Sequence, residues 1–149
     1  MTVKRILPPA CLMISIAIMV ALHFLLPVRQ VVPSPYRYLG IALLVIGLVL
    51  NIWSDQIFKK AKTTVNPFER SSRLVTEGPY RFSRHPMYLG MVVILIGLAV
   101  VLGSVTPVPV IPAFTWLVAD RFMCVEEKAM EGTFGQTYRA YRRRVRRWI

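Results

Sequence analysis

Two short clusters concentrate the side chains able to do chemistry. The first is Gly78-Pro79-Tyr80-Arg81-Phe82-Ser83-Arg84-His85-Pro86-Met87-Tyr88-Leu89-Gly90, in which an arginine and a histidine stand just before a proline and a long apolar run. Pro86 suits a first helical turn, because the N–H it lacks would have no partner there. Arg84 and His85 therefore sit at a helix N-terminus, whose free N–H groups and partial positive charge favour a carboxylate or a phosphate. The same two side chains would equally serve to reach lipid headgroups while their stems lie on apolar surface.

The second cluster comprises Asp120, Arg121, Glu126, Glu127 and Glu131, followed by Phe134-Gly135, Tyr138 and Tyr141. Acidic groups beside an apolar segment, in a chain of net charge +12, have two readings. They pair with the arginines, or they bind a cationic or hydroxyl-rich ligand; ionisable groups at such positions are functional candidates by default. A metal site built from His85 and the glutamates lacks a recognisable ligand spacing, so none is expected.

The elements that position these clusters follow from how charge is distributed. Of 149 residues only 17% are charged, yet mean hydropathy is +0.52, so charge and apolarity must be segregated along the chain. Residues 6–26, 36–58, 87–105 and 108–125 are each long and apolar enough to be read as a membrane span, which takes roughly 20 residues. Asp120 and Arg121 fall inside the fourth, making its last third amphipathic. Lys4 and Arg5 before the first run have the order of a signal peptide, but the run is long for one and no small-x-small cleavage site follows. Four spans put Lys4, Arg5, Lys59, Lys60, Lys62, Arg70, Arg73, Arg81, Arg84 and the basic tail on one side, and only Arg29 and Arg37 on the other. By the positive-inside rule both termini are cytoplasmic.

The expected fold is all-α: a polytopic transmembrane bundle in one domain, residues 1–149, with a cytoplasmic loop and an amphipathic C-terminal helix. That helix carries Tyr138, Tyr141, Val145 and Trp148 on one side and Arg139, Arg142, Arg143 and Arg146 elsewhere, the pattern of an interfacial helix against anionic headgroups. Gly40 and Gly47, like Gly90 and Gly97, are seven apart and lie near one helix face, for close helix packing or for a ligand groove. The loop from Lys59 to Pro86 is rich in turn formers, and extended pieces near residues 63–65 and 73–76 could pair within it. His23 has no evident partner and reads as structural, and Cys11 and Cys124 read as free thiols. No RNA-binding signature, zinc spacing or soluble domain accompanies the positive charge, so membrane topology and anionic lipid explain it better than nucleic acid.

Several stretches, in order, resemble the isoprenylcysteine carboxyl methyltransferase family and the related phospholipid N-methyltransferases. They are Thr63-Thr64-Val65-Asn66-Pro67, Leu74-Val75-Thr76-Glu77-Gly78-Pro79-Tyr80-Arg81, Arg84-His85-Pro86-Met87-Tyr88-Leu89-Gly90, Glu126-Glu127, Phe134-Gly135, Tyr138, Tyr141 and Val145. The resemblance implies an integral membrane enzyme that transfers the methyl group of S-adenosylmethionine to a lipophilic acceptor and releases S-adenosylhomocysteine. It implies cofactor-binding segments at residues 78–90 and 120–148, with His85, Tyr88, Leu89, Gly90, Glu126 and Glu127 holding the cofactor, joined by Tyr138 and Tyr141, under a C-terminal cover. The short chain looks like a compact bacterial branch, placed in the inner membrane, whose acceptor enters from the bilayer and need not be a prenylated cysteine. Arg84 would orient a carboxylate acceptor, and Glu127 would assist deprotonation of an amine. Membrane sterol reductases, which use NADPH, carry a related Arg-His-Pro element but are much larger. A scaffold or lipid-binding module would have little use for Glu126 and Glu127.

Overall fold

A computed structural model describes residues 7–26, 30–61 and 72–149. The expected pairing at residues 63–65, the Thr63-to-Pro67 motif, Lys4, Arg5, Arg29, Lys62 and Arg70 lie outside the described residues. Helix α1 spans Pro8–Leu25, α2 Arg37–Lys60, α3 Pro86–Leu102, α4 Val110–Val118 and α5 Cys124–Arg144, with a π-helical turn, Ala119–Met123, joining the last two. Short 3₁₀ turns at Ser34–Tyr36 and Gly78–Arg81 precede α2 and α3. Among the described residues the one β feature is an isolated bridge between Gln30 and Ser104, and residues 74–76 form no strand.

Local chemistry explains the helix ends. Prolines occupy the first turns of α1 and α3, where no N–H is needed. Gly103 ends α3 in the left-handed conformation (φ +71°), donating its N–H to the Ala99 carbonyl at 3.0 Å. Lys59 and Lys60 close α2 at the negative end of its dipole, and Lys59 also pairs with Asp55 at 2.6 Å.

Helix α3 is the axis of the molecule. One side meets α2 so closely that a Cβ on Gly40 would lie 2.6 Å from the Gly97 carbonyl oxygen, and one on Gly47 2.7 Å from that of Gly90. The two glycine pairs thus serve close helix packing. Its other side, through Tyr88, Met91, Leu95 and Ala99, packs with Cys11 and Met19 of α1, Phe114 and Val118 of α4, and Phe122 and Met123 of the π turn.

The outward faces of α1 and α2 are apolar: Met13, Ile14, Ile18, Val45, Ile46, Val49 and Ile52 are all exposed. Two segments, Pro8–Leu25 and Ser34–Lys60, are long and apolar enough to cross a membrane, and α3 is apolar over 17 residues. At the end away from the two chemical clusters, His23 finds a partner that its sequence neighbourhood did not offer. Its Nδ1 lies 2.8 Å from Ser104 Oγ. There Arg37 also donates to Gln30 Oε1 at 2.7 Å.

Candidate active site

The two clusters meet where α3 begins and the π turn passes into α5. Inward residues recur every four positions at Phe114 and Val118 of α4 and Phe122 of the π turn. The π turn adds one residue to the row, so it also passes from Val118 to Met123 and on to Glu127, all buried. Such wide turns are frequent at functional sites, and this one aims Glu127 at the start of α3.

His85 is the N-cap residue of α3 and lies between the two glutamates. Its Nδ1 is 3.1 Å from Glu126 Oε2 and its Nε2 is 3.2 Å from Glu127 Oε1. Burial opposes a charged ring, but the bonds and charges of Glu126 and Glu127 prevail and hold the His85 pKa above its usual 6.5. The imidazolium then donates through both nitrogens. Tyr88, one turn along α3, donates its hydroxyl to Glu126 Oε1 at 2.6 Å.

Glu127 is the most heavily engaged group. Arg84 Nη1 lies 3.3 Å from Oε1, and Arg147 donates through Nε to Oε1 at 3.0 Å and through Nη2 to Oε2 at 2.6 Å. Burial would favour the neutral acid, yet the bonds from His85 and Arg147 and the charge of Arg84 lower its pKa to about 2. Arg84 itself is only 8% exposed at its side chain and its Nη1 is held by the charge of Glu127; among the described residues neither its Nε nor its Nη1 makes a hydrogen bond. A buried guanidinium whose charge is met by Glu127 and whose Nε has no hydrogen bond among the described residues could take an incoming acceptor group.

The cover over this cluster differs from a continuous amphipathic helix. Gly135 adopts φ +49°, ψ −119° inside α5 and breaks it in two. Across the break Glu131 accepts from Arg139 Nε at 2.7 Å and lies 3.6 Å from Arg142 Nη1. Residues eight apart in a straight helix are separated by about 12 Å along the axis, so the bend is what joins them. Glu131 therefore clamps the cover and is not part of the central cluster.

Beyond the bend, Tyr138 is buried, and Tyr141 donates its hydroxyl to the Tyr80 carbonyl at 2.6 Å. Burial, reinforced by Glu127 for Tyr138 and by Tyr138 for Tyr141, raises both phenol pKa values. The helix ends at Arg144, and Val145 is extended. The rest of the tail crosses the start of α3: Arg84 N–H donates to the Arg146 carbonyl at 3.0 Å, and Ser83 Oγ donates to the Arg147 carbonyl at 3.2 Å. Val145 and Trp148 thus turn inward from an extended tail rather than continuing the helical stripe.

Of the residues singled out in the sequence, Arg84, His85, Tyr88, Glu126 and Glu127 form one bonded group, with Tyr138 and Tyr141 in its cover. Leu89 and Gly90 stand apart from it. Gly90 faces Gly47 and Asn51 of α2, and Leu89 meets the cluster through its backbone, donating its N–H to the His85 carbonyl at 3.1 Å. Asp120 and Arg121 pair with each other at 3.6 Å on an exposed surface. Arg147 escaped the sequence reading because, among so many arginines, helical periodicity groups it with the basic face. Ser83, whose hydroxyl accepts from the His85 N–H at 3.1 Å, carried only the weak signal of a polar residue before a helix.

A family model described as phospholipid methyltransferase matches residues 36–137. The protein-S-isoprenylcysteine O-methyltransferase of Tribolium castaneum is 32% identical over 109 residues, 67% of this chain and 39% of the relative. That of Schizosaccharomyces pombe is 31% identical over 72 residues, 48% of this chain and 30% of the relative. The chain spans well under half the length of these two curated relatives. The solved structure of the eukaryotic intramembrane Ras methyltransferase ICMT, isoprenylcysteine carboxyl methyltransferase, superposes with a TM-score of 0.75 at 23% identity. The match covers 92% of this chain and 51% of that one, a likeness of fold.

Proposed function

The chain belongs to the phospholipid methyltransferase family, and from that premise we propose that it is a membrane-embedded methyltransferase using S-adenosylmethionine and acting on a lipophilic carboxylate. The observation that carries the proposal is the cluster of His85, Glu126 and Glu127 beside a buried Arg84. S-adenosylmethionine presents a carboxylate, an ammonium and ribose hydroxyls. The residues fit: Arg84 and the start of α3 suit the first, and Glu126 and Glu127 the other two.

In this reading α1, α2, α3 and the run from α4 through the π turn make four spans, with both termini and the site on the cytoplasmic side. The polar cofactor arrives from the cytosol, and the acceptor from the bilayer.

When bound, the cofactor supplies a methyl carbon already activated by a sulfonium. The protein's own contribution is positioning and exclusion of water. Glu126, oriented by Tyr88 and His85, and Glu127, oriented by His85 and Arg147, are fixed hydrogen-bond acceptors. The cover formed by Tyr138 and Tyr141 keeps the cluster dry. A carboxylate needs no proton removed, and the Glu127 carboxylate is already engaged by His85, Arg84 and Arg147.

The test is calorimetric titration of the detergent-solubilised protein with S-adenosylmethionine, S-adenosylhomocysteine and NADPH, followed by turnover of a prenylated carboxylate. Binding of the first two alone is the expected result, and NADPH binding, or silence from all three, would overturn the proposal. Arg84→Ala and Glu127→Gln should each abolish most turnover.

A further inference from the structure

We propose that Arg147 is a positioning residue for the cofactor site, holding the Glu127 carboxylate from the C-terminal tail so that the tail becomes part of the site. The inference rests on the cofactor reading above. Its basis is geometric. Arg147 grips both oxygens of Glu127, at 3.0 and 2.6 Å, in the two-pronged arrangement that fixes a carboxylate's plane as well as its charge. Glu127 is 7% exposed at its side chain and cannot be oriented by water.

The tail bearing Arg147 is itself tied down on both sides of that side chain's attachment. The Arg146 carbonyl accepts from Arg84 N–H, the Arg147 carbonyl accepts from Ser83 Oγ, and Val145 and Trp148 turn inward. The backbone bonds place the guanidinium, and the guanidinium places Glu127. His85 and Arg84 reach Oε1 alone, so Arg147 is the group that determines where Oε2 points. The side chain is still 35% exposed, which leaves it in contact with solvent at the rim while its donors face inward.

The experiment is titration of S-adenosylhomocysteine into wild type, Arg147→Gln, Arg147→Lys, Glu127→Gln and the Glu127→Gln/Arg147→Gln double variant. Arg143→Gln, exposed and of equal charge change, is the control. Arg147→Gln should weaken binding by at least about thirtyfold, as expected when one partner of a buried charge pair is removed. Arg143→Gln should leave it unchanged. Arg147→Lys, which keeps the charge and loses the fork, should fall in between, and it carries the test if Arg147→Gln does not fold. The double variant should bind no worse than Glu127→Gln alone, because Arg147 acts through that carboxylate.

A role confined to folding would give additive losses and full recovery with lysine; either result overturns the inference. So does wild-type affinity in Arg147→Gln. A wild type that binds no S-adenosylhomocysteine overturns the cofactor reading and takes this inference with it, an outcome distinct from the others.

Discussion

Nε2 of His85 lies 3.2 Å from Oε1 of Glu127, and the two groups are displaced in opposite directions from their ordinary titration. Burial disfavours charge on His85, but Glu126 and Glu127 outweigh it and hold the ring above 6.5. Burial likewise disfavours the Glu127 anion, yet His85, Arg147 and Arg84 bring it from 4.5 to about 2. A raised base contributes stability in full below its unfolded pKa and loses it as pH rises through the folded value. A depressed acid contributes above its unfolded pKa and loses it as pH falls through its folded one. Thermal stability in detergent should therefore be greatest between pH 4.5 and 6.5. It should decline above that window with a slope that His85→Gln removes. A wild-type curve that stays level or rises above pH 6.5 would contradict the charged imidazolium.

Glu127→Gln keeps the shape of the side chain and removes the charge that Arg84, His85 and Arg147 share. Breaking one side of a buried ion pair costs about 3–5 kcal/mol. The lower end is expected here, because Arg147 is 35% exposed and water can attend to it. Denaturant unfolding of the two proteins measures the difference, and a change below about 1 kcal/mol would mean that the cluster contributes little to stability.

Gly47→Ala places a methyl group 2.7 Å from the Gly90 carbonyl oxygen, and backbone cannot yield as a side chain does. The helices must separate, at about 1–3 kcal/mol. Gly132 offers the contrast. A Cβ there meets nothing within 4 Å, and in a helix alanine should be the better residue by about 0.5–1 kcal/mol. Thermal shifts of opposite sign for Gly47→Ala and Gly132→Ala are the expected signature.

Gly135→Ala isolates conformation from packing, since the space around Gly135 is open while its φ of +49° with ψ −119° is closed to other residues. Strain of about 1–3 kcal/mol should straighten α5 and pull Arg139 from Glu131, loosening the cover. Trypsin should then cut the arginine-rich segment beyond residue 135 faster than in wild type. An unchanged cleavage rate would show that the bend does not hold the cover down.

Apolar run lengths, Pro86 at a helix start and the paired glycines were legible because each is a local property of backbone or hydropathy. The family pattern also brought out Arg84, His85, Tyr88, Glu126 and Glu127 together. Local patterning failed at three places, each for a physical reason. His23 is bonded to a serine 81 positions away. The π turn shifts the inward row by one residue without any proline or glycine to mark it. The tail from Val145 leaves the helix, so its aromatic spacing loses its meaning.

The two chemical clusters were determined by the amino-acid sequence alone, as was the apolar company they keep, because composition and spacing decide what a segment dissolves in. Which oxygen meets which nitrogen was decided only by the tertiary structure. Glu127, and not Glu126, receives Arg84 and Arg147 because one wide helical turn and one bend at Gly135 set the approach of α5 and its tail to α3. Contacts between residues 20 and 43 positions apart depend on those two rotations of the chain, and no local preference among the residues records their sum.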